Sequence, residues 1–566
     1  MFKNKNVFFK LTNNKKKPFF RLIFFYAFSS IIDILILATV SVLSTYLVGG
    51  NVEYIDNKIS PYISSKTNIS LILGLILISI YFIRTIFSYL ALRKIIEFST
   101  ENLEFLRNKI FNIYKKSYVE LVENNSFEKQ FNNVAYVVQV FSENVLQKVM
   151  LLVAEFIVFS IIVSYLLFVQ TINTLIILFL LTLFYSLYYF FFKKSIKAAG
   201  LQQANSLEKL IEIIAYTFKG IKEIKTLNIS EYFNKRYTKY NSTFSKTLMT
   251  FQKINIFPKY LLEIIVVSII ISFVLILNFL SEGNLDNHYP EIAVLIIAMT
   301  RLSPLAYNMF SNVVHISTSV YSISELNKVF DKNKSEEEAH IEKNKVDINF
   351  KSLELKNINF SYKKRKTLFD NLNLKINRGD IIGIKGSSGS GKTTLVNIIL
   401  GIVNYHKGEI IINNKFRTEE TNFDKLTSYT PQDLFLINGS IEENIALGVE
   451  KNAIDKKMIR KAIIKSGLKN FVNKLPKKSK TAINSNILNI SGGQAQRIAI
   501  ARNFYYKKEI NIFDEFTSAL DEENEEKILK HIKSSKNTVI IISHKSSSLK
   551  YCDKIYNMID GELQRV

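Results

Sequence analysis

A single cysteine, Cys552, in a chain of 566 residues excludes an intrachain disulfide framework and fits a reducing compartment. Acidic residues are also scarce: 49 Asp and Glu stand against 74 Lys and Arg, a net charge of +25. Such an excess suits either nucleic acid or the cytoplasmic face of a protein that crosses a membrane. The distribution favours the second, because apolar residues pile up before Phe330 while the remainder is patterned like a soluble domain. The basic, phenylalanine-rich start lacks the small residues a signal-peptide cleavage site needs. Residues 1–21 therefore read as an amphipathic segment lying on the cytoplasmic membrane surface.

Six apolar segments follow, at about 22–48, 69–92, 149–169, 172–192, 260–280 and 292–310. Each is near the roughly 20 residues that carry a helix across a bilayer. The loops at 49–68, 170–171 and 281–291 hold only Lys58 and Lys66 as Lys or Arg, whereas the N-terminus to Arg21 alone holds seven. The positive-inside rule then puts both termini and the long connections 93–148 and 193–259 in the cytoplasm. Those connections carry helix-period patterns and are too polar for lipid, so the spanning helices are expected to continue beyond the membrane and turn near 118–127 and 216–221. Asp33, Arg84, Glu155, Lys259, Glu263 and Arg301 fall within or at the edge of spans. Charges there are costly unless they pair or face a cavity. Pairing of Glu263 with Lys259 one turn away is one expectation; a cavity in which Arg84, Lys259 and Arg301 receive an anion is the other.

Residues 331–349, charged and without periodicity, read as a linker. Beyond it, residues 350–566 alternate strand and helix patterns, an α/β domain. Its centre is 380–401, DIIGIKGSSGSGKTTLVNIILG: an apolar strand, a glycine loop, then a helix. That order is the context a P-loop requires. The backbone of Gly386, Ser387, Ser388, Gly389, Ser390 and Gly391 can converge on phosphate oxygens at a helix N-terminus. Lys392 would reach the β- and γ-phosphates, Thr393 would ligate Mg²⁺, and Thr394 completes the loop. A second apolar strand ends in Asp514 and Glu515, the first placed to support Mg²⁺ and the second to act as general base on water. A third ends at Ser543 and His544, where a histidine can touch a γ-phosphate.

Residues 489–497, NISGGQAQR, resemble the signature motif of ATP-binding cassette (ABC) proteins, with Ile490 for the usual leucine. Around it, Tyr362 resembles the aromatic that stacks on adenine, Gln432 the Q-loop ligand of Mg²⁺, 518–521 (Ser-Ala-Leu-Asp) the D-loop and His544 the H-loop. The resemblance implies an ABC exporter half-transporter: an all-α six-helix transmembrane domain (22–330) joined to an α/β P-loop nucleotide-binding domain (350–566). It implies ATP and Mg²⁺ as cofactors, and Glu515, His544 and Gln432 as catalytic residues. Ser491, Gly492, Gly493, Gln494 and Asp521 would then act in trans on the P-loop of a second copy, so a homodimer is expected. Ser485 stands where exporters carry an acid before the signature, Asn511 interrupts an apolar strand, and Phe516 replaces a small residue. None of these removes a catalytic group.

The membrane half bears on the substrate. The segments 196–200 (IKAAG), 258–263 (PKYLLE) and 301–304 (RLSP) are similar to those of the lipid-linked oligosaccharide flippases of bacterial N-glycosylation. That resemblance implies an inner-membrane protein moving an anionic polyisoprenyl-diphosphate-linked oligosaccharide, with Arg84, Lys259 and Arg301 at the diphosphate. An exporter of a peptide, lipid or drug is the alternative, although no protease-like domain precedes the first span to suggest a processed peptide. A regulatory membrane ATPase that moves no cargo is a third reading. A nucleic-acid ATPase would leave the six spans unexplained.

Overall fold

In a bilayer every backbone N–H and C=O must be satisfied within its own segment, so long apolar runs become helices. The computed structural model describes residues 5–47, 66–116, 127–169, 171–280, 282, 288–337, 350–362, 367–416, 426–483 and 490–566. The chain divides into a helical unit and an α/β unit, with residue 334 the last of the first in the main run.

The helical unit contains α1 (Lys5–Leu11), α2 (Lys16–Ala27), α3 (Ser29–Leu47) and α4 (Lys66–Lys116). Next come α5 (127–169), α6 (Thr171–Lys219), the short α7 (Ile221–Thr226), α8 (Ser230–Leu280) and α9 (Tyr289–Glu337). Six helical stretches are long and apolar enough to cross a membrane. The helices α4 and α8 have 51 residues each. At about 1.5 Å per residue that is more than twice a hydrocarbon core of about 30 Å, so both continue well past the membrane as the sequence suggests. Only 6% of the most apolar window of α4 is buried; Leu71, Leu75, Ile78 and Phe82 face outward, as lipid-facing side chains do. Two π-helical stretches, Asn133–Val137 and Phe141–Leu146, interrupt α5. The carbonyl of Ser142 in the second accepts a bond from the Ser99 hydroxyl of α4 (2.8 Å). Gly200 lets α6 and α9 nearly touch: a Cβ there would stand 2.1 Å from the Thr318 carbonyl oxygen.

Three boundaries differ from the sequence reading. The apolar face of the N-terminal segment is turned into the bundle: Phe8, Leu11, Phe19 and Ile23 are buried in one cluster with Ile95, Phe141, Leu146 and Phe330. The first span breaks at Phe28, between α2 and α3. The expected linker begins as helix, since α9 runs to Glu337. The expected turn at 118–126 lies outside the described residues, while that at 216–221 is the junction of α6 and α7 at Gly220.

The α/β unit holds β1 (Ser352–Phe360), β2 (Phe369–Asn377), β3 (Ile381–Gly386), β4 (Lys407–Ile412), β5 (Lys415–Phe416) and β6 (Thr427–Thr430). It continues with β7 (Gly439–Ser440), β8 (Ala482–Ile483), β9 (Ile510–Asp514), β10 (Thr538–Ile542), β11 (Lys554–Ile559) and β12 (Glu562–Arg565). One sheet is antiparallel, in the order β2-β1-β4-β5; the central one runs β12-β11-β3-β10-β9-β6, with all neighbours parallel except β12. The strands β9 and β10 are buried along their whole length, the signature of a parallel sheet covered on both faces. The helices used below are α10 (Lys392–Leu400), α11 (Gly492–Tyr506) and α12 (Glu522–Ser534).

Candidate functional site

Parallel strands end together, and in open α/β sheets ligands bind beyond their carboxyl ends. Here β3 delivers the glycine loop, β9 delivers Asp514 and Glu515, and β10 delivers Ser543 and His544 to one edge. Gly391, with φ +104°, is the N-cap of α10 and lies against Phe369; a Cβ would sit 2.7 Å from that ring. The chain turns there into the helix only because no side chain is present. Lys392 is buried, and its Nζ donates to the carbonyls of Gly386 (2.7 Å) and Ser387 (2.8 Å). Burial holds its ammonium below the ordinary value, against the opposing charges of Glu515 and Asp514. The Ser390 hydroxyl is buried with no partner among the described residues. A phosphate would satisfy both groups. The Tyr362 hydroxyl lies 3.1 Å from Thr394 Oγ1, so the expected adenine-stacking ring stands beside α10.

The acidic pair is built unevenly. Asp514 is buried, and its carboxylate accepts from the Tyr429 hydroxyl at 3.2 Å. Burial raises its pKa; the Tyr429 hydrogen bond opposes the rise. Glu515 adopts φ +46°, a costly conformation for a residue with a side chain, and its N–H donates to the Ile542 carbonyl on β10 (2.9 Å). Its carboxylate is held between two groups: Gln432 Nε2 donates at 2.9 Å, and His544 Nε2 lies at 3.3 Å. The three residues expected to be catalytic therefore meet at one carboxylate. The oxygens of Thr393, Asp514 and Gln432 are hard donors that fit Mg²⁺. Among the described residues no three His, Cys, Asp or Glu side chains cluster as a metal site, so phosphate oxygens would have to complete the shell.

Ser491 is the N-cap of α11 in a capping box: Gln494 N–H donates to its Oγ (3.2 Å), and its own N–H donates to Gln494 Oε1 (2.9 Å). The side chains of Ser491 and Gln494 are thus engaged with each other's backbone, leaving the N–H groups of Gly492 and Gly493 in the first turn of the helix. Gln496, one turn further, donates to the Glu515 carbonyl and the Ser518 hydroxyl (3.3 Å each) and accepts from the Ala519 N–H (3.0 Å). The signature helix and the D-loop are therefore one piece. Asp521 is gripped by the Asn524 amide (2.7 and 2.9 Å), which lowers its pKa.

Sequence reasoning missed Tyr429, Gln496 and Glu525. Tyr429 stands three residues before Gln432, the spacing that could have revealed it. Glu525, buried in the first turn of α12, accepts from the hydroxyls of Ser547 (2.9 Å) and Ser548 (2.6 Å) and from Lys545 Nζ (3.4 Å). It ties the D-loop helix to Lys545 and the short helix Ser546–Leu549 that follow His544. Two departures noted in the sequence are accommodated: Asn511 accepts from Ser428 (2.7 Å) and donates to the Lys508 carbonyl (3.1 Å), and Phe516 is buried against Phe513 (4.7 Å between ring centroids). Ser485 lies outside the described residues.

In the helical unit Arg84 and Arg301 converge, but on a carboxylate. Arg84 Nε donates to Asp33 Oδ1 at 3.1 Å, Arg301 Nε lies 3.7 Å from the same oxygen, and the Arg301 guanidinium sits 4.7 Å over the Tyr81 ring. Lys259 is not among them; it and Glu263 are exposed on α8, and the expected pair between them is not formed.

Residues 369–518 match the "ABC transporter" family model. An export ATP-binding/permease protein of Rickettsia typhi is 37% identical over 218 residues, 38% of this chain and 38% of that protein. The leukotoxin translocation ATP-binding protein of Mannheimia glucosida is 36% identical over 213 residues, 37% of this chain and 30% of that protein. The chain thus matches well under half the length of these relatives. A solved structure, described as a bacterial Atm1-family ABC exporter with ATP bound, superposes with a TM-score of 0.74 at 18% identity, covering 95% of this chain and 94% of that one. The fold is therefore that of an ABC exporter: six apolar helices and an α/β ATP-binding unit.

Proposed function

We propose that the chain is one half of an ATP-driven exporter that works as a homodimer in a bacterial inner membrane, both termini in the cytoplasm. Its cargo in this reading is a polyisoprenyl-diphosphate-linked oligosaccharide, moved outward. The observation that carries the ATP step is the carboxylate of Glu515, held between Gln432 and His544 beside Asp514. A base so oriented can take a proton from a water aimed at the γ-phosphate, while Lys392 leaves its loop carbonyls for the β- and γ-phosphates. Thr393, Asp514 and Gln432 would hold Mg²⁺, which supplies charge neutralisation on the phosphates. Among the described residues, Ser491 and Gln494 bond to each other and not to residues 386–394. That supports a site completed by the signature residues of a second copy, with Asp521 at the same junction.

The substrate rests on the membrane half, because the family match falls wholly in the other half. Arg84 and Arg301, side by side and only partly buried, support an anionic headgroup. Export of a peptide, lipid or drug is the second reading, favoured by the separation of Lys259 from that pair and by the spending of both arginines on Asp33. The test is outward movement of a labelled lipid-linked oligosaccharide in proteoliposomes with ATP, beside Glu515→Gln. Movement that the variant lowers by about 10²–10⁴-fold supports the reading. An ATPase stimulated by peptides or drugs, with no lipid movement, overturns the substrate. Full transport after neutralisation of Arg84, Lys259 and Arg301 together would refute the cation site.

A further inference from the structure

Arginine does not lose its proton in a protein, so two guanidiniums need two negative charges or water. Among the described residues of the helical unit they have one, Asp33. Asp33 on α3 is 1% exposed, against 24% for Arg84 on α4 and 18% for Arg301 on α9. Both arginines address Asp33 Oδ1, the second from 3.7 Å, beyond hydrogen-bond reach. The other oxygen, Oδ2, is buried with no partner among the described residues, and Arg301 Nε likewise has none there. The cluster is thus a net cation whose hydrogen bonds are poorly used on both sides. Such geometry is that of a place-holder rather than of a finished ion pair, which would be bidentate.

We infer that Asp33 is the resident counter-ion of the anion site, and that an anionic headgroup binds by taking Arg84 and Arg301 away from it. Resting on the reading that the cargo is a diphosphate lipid, this assigns Asp33 a role that sets specificity. A headgroup with a single, weakly localised charge does not outcompete a carboxylate already in place; a diphosphate, with more charge and more acceptor oxygens, does. The same exchange has a mechanical side. Without cargo, Asp33 pins α3 to α4 and α9. With the arginines turned to the cargo, α3 is released, so cargo binding and helix rearrangement become one event.

The formal charge of the cluster orders the variants. Asp33→Asn leaves two cations, the native chain and the double variant Asp33→Asn/Arg301→Gln each leave one, and Arg84→Gln leaves none. The full-length protein in nanodiscs is titrated with a glycan-free polyisoprenyl diphosphate, with the matching neutral polyisoprenol as control, and ATPase stimulation is read. The half-stimulating concentration should fall about tenfold in Asp33→Asn, within the usual span of coupling between sites. It should return to near the native value in the double variant and rise about tenfold in Arg84→Gln. If Arg84→Gln weakens stimulation while Asp33→Asn leaves it unchanged or weakens it too, Asp33 is only a brace and the inference fails while the cargo reading stands. If the diphosphate stimulates no version while peptides or drugs stimulate the native chain, the cargo reading itself fails. Should Asp33→Asn not assemble, the double variant decides: parity with the native chain upholds the ordering, and parity with Arg84→Gln overturns it.

Discussion

Tyr429 gives the sharpest test of the nucleotide site, because only the folded chain brings it to Asp514. Replacing it by Phe removes one hydroxyl, and with it the 3.2 Å bond to the Asp514 carboxylate. A hydrogen bond to a charged group contributes roughly 1.5–3 kcal/mol, and one longer than the usual O–H···O range contributes no more than the low end, about 1.5 kcal/mol. Without that bond the pKa of the Asp514 carboxyl should rise further. The direction follows from the native state: burial already raises this carboxyl, and the Tyr429 bond is what opposes the rise. In the proposed site Asp514 holds Mg²⁺ as the ionised carboxylate, so the acid limb of ATPase activity should move toward neutral pH in Tyr429→Phe, while the plateau changes little. The Mg²⁺ concentration for half-maximal activity should rise on that limb. Stability should behave in parallel. Above the Asp514 pKa the variant is less stable by about 1.5 kcal/mol, and the two proteins converge as pH falls below it, where a neutral carboxyl no longer needs the donor. Superimposable pH profiles, or a shift toward acid, would refute this account of the site.

Other perturbations follow from the same contacts. Gly391→Ala forces a Cβ into the Phe369 ring at 2.7 Å with φ at +104°; nucleotide binding by fluorescent-analogue titration should fall sharply, with about 1–3 kcal/mol lost in stability. Glu525→Ala removes the acceptor of Ser547 and one of two partners of the buried Ser548 hydroxyl and of Lys545, which keep Thr517 Oγ1 and the Thr517 carbonyl, so the α/β unit should melt a few degrees lower and turnover should drop. Glu525→Gln, which keeps an acceptor oxygen, should recover part of both, and equal losses in the two variants would contradict the positioning role. Burial pushes the Cys552 thiol up to about 12, so it should resist alkylation at neutral pH in the folded protein and react once denatured, as mass spectrometry would read directly.

Local patterns settled much of this protein before any folding was known. The glycine loop of 386–391 works through backbone geometry that glycine alone permits, and the near-continuous apolar runs before Asp514 and His544 read as buried strands whose polar residues come at their carboxyl ends. Apolar runs of membrane length become helices because lipid offers the backbone no other partner. The capping box of Ser491 and Gln494 likewise needs only neighbours in sequence. What required the tertiary structure was every relation between distant segments. Gln432, Glu515 and His544 lie on different strands or loops, and their meeting depends on the strand order of the central sheet. The grip of Glu525 on the short helix after His544, and of Tyr429 on Asp514, follows from the same order. Charge in the membrane half shows the limit most clearly: a list of cations in spans does not say which are already neutralised. Only packing showed that Arg84 and Arg301 share Asp33 while Lys259 stands elsewhere, because side-chain pairing between helices is set by their rotation and height, which composition does not encode.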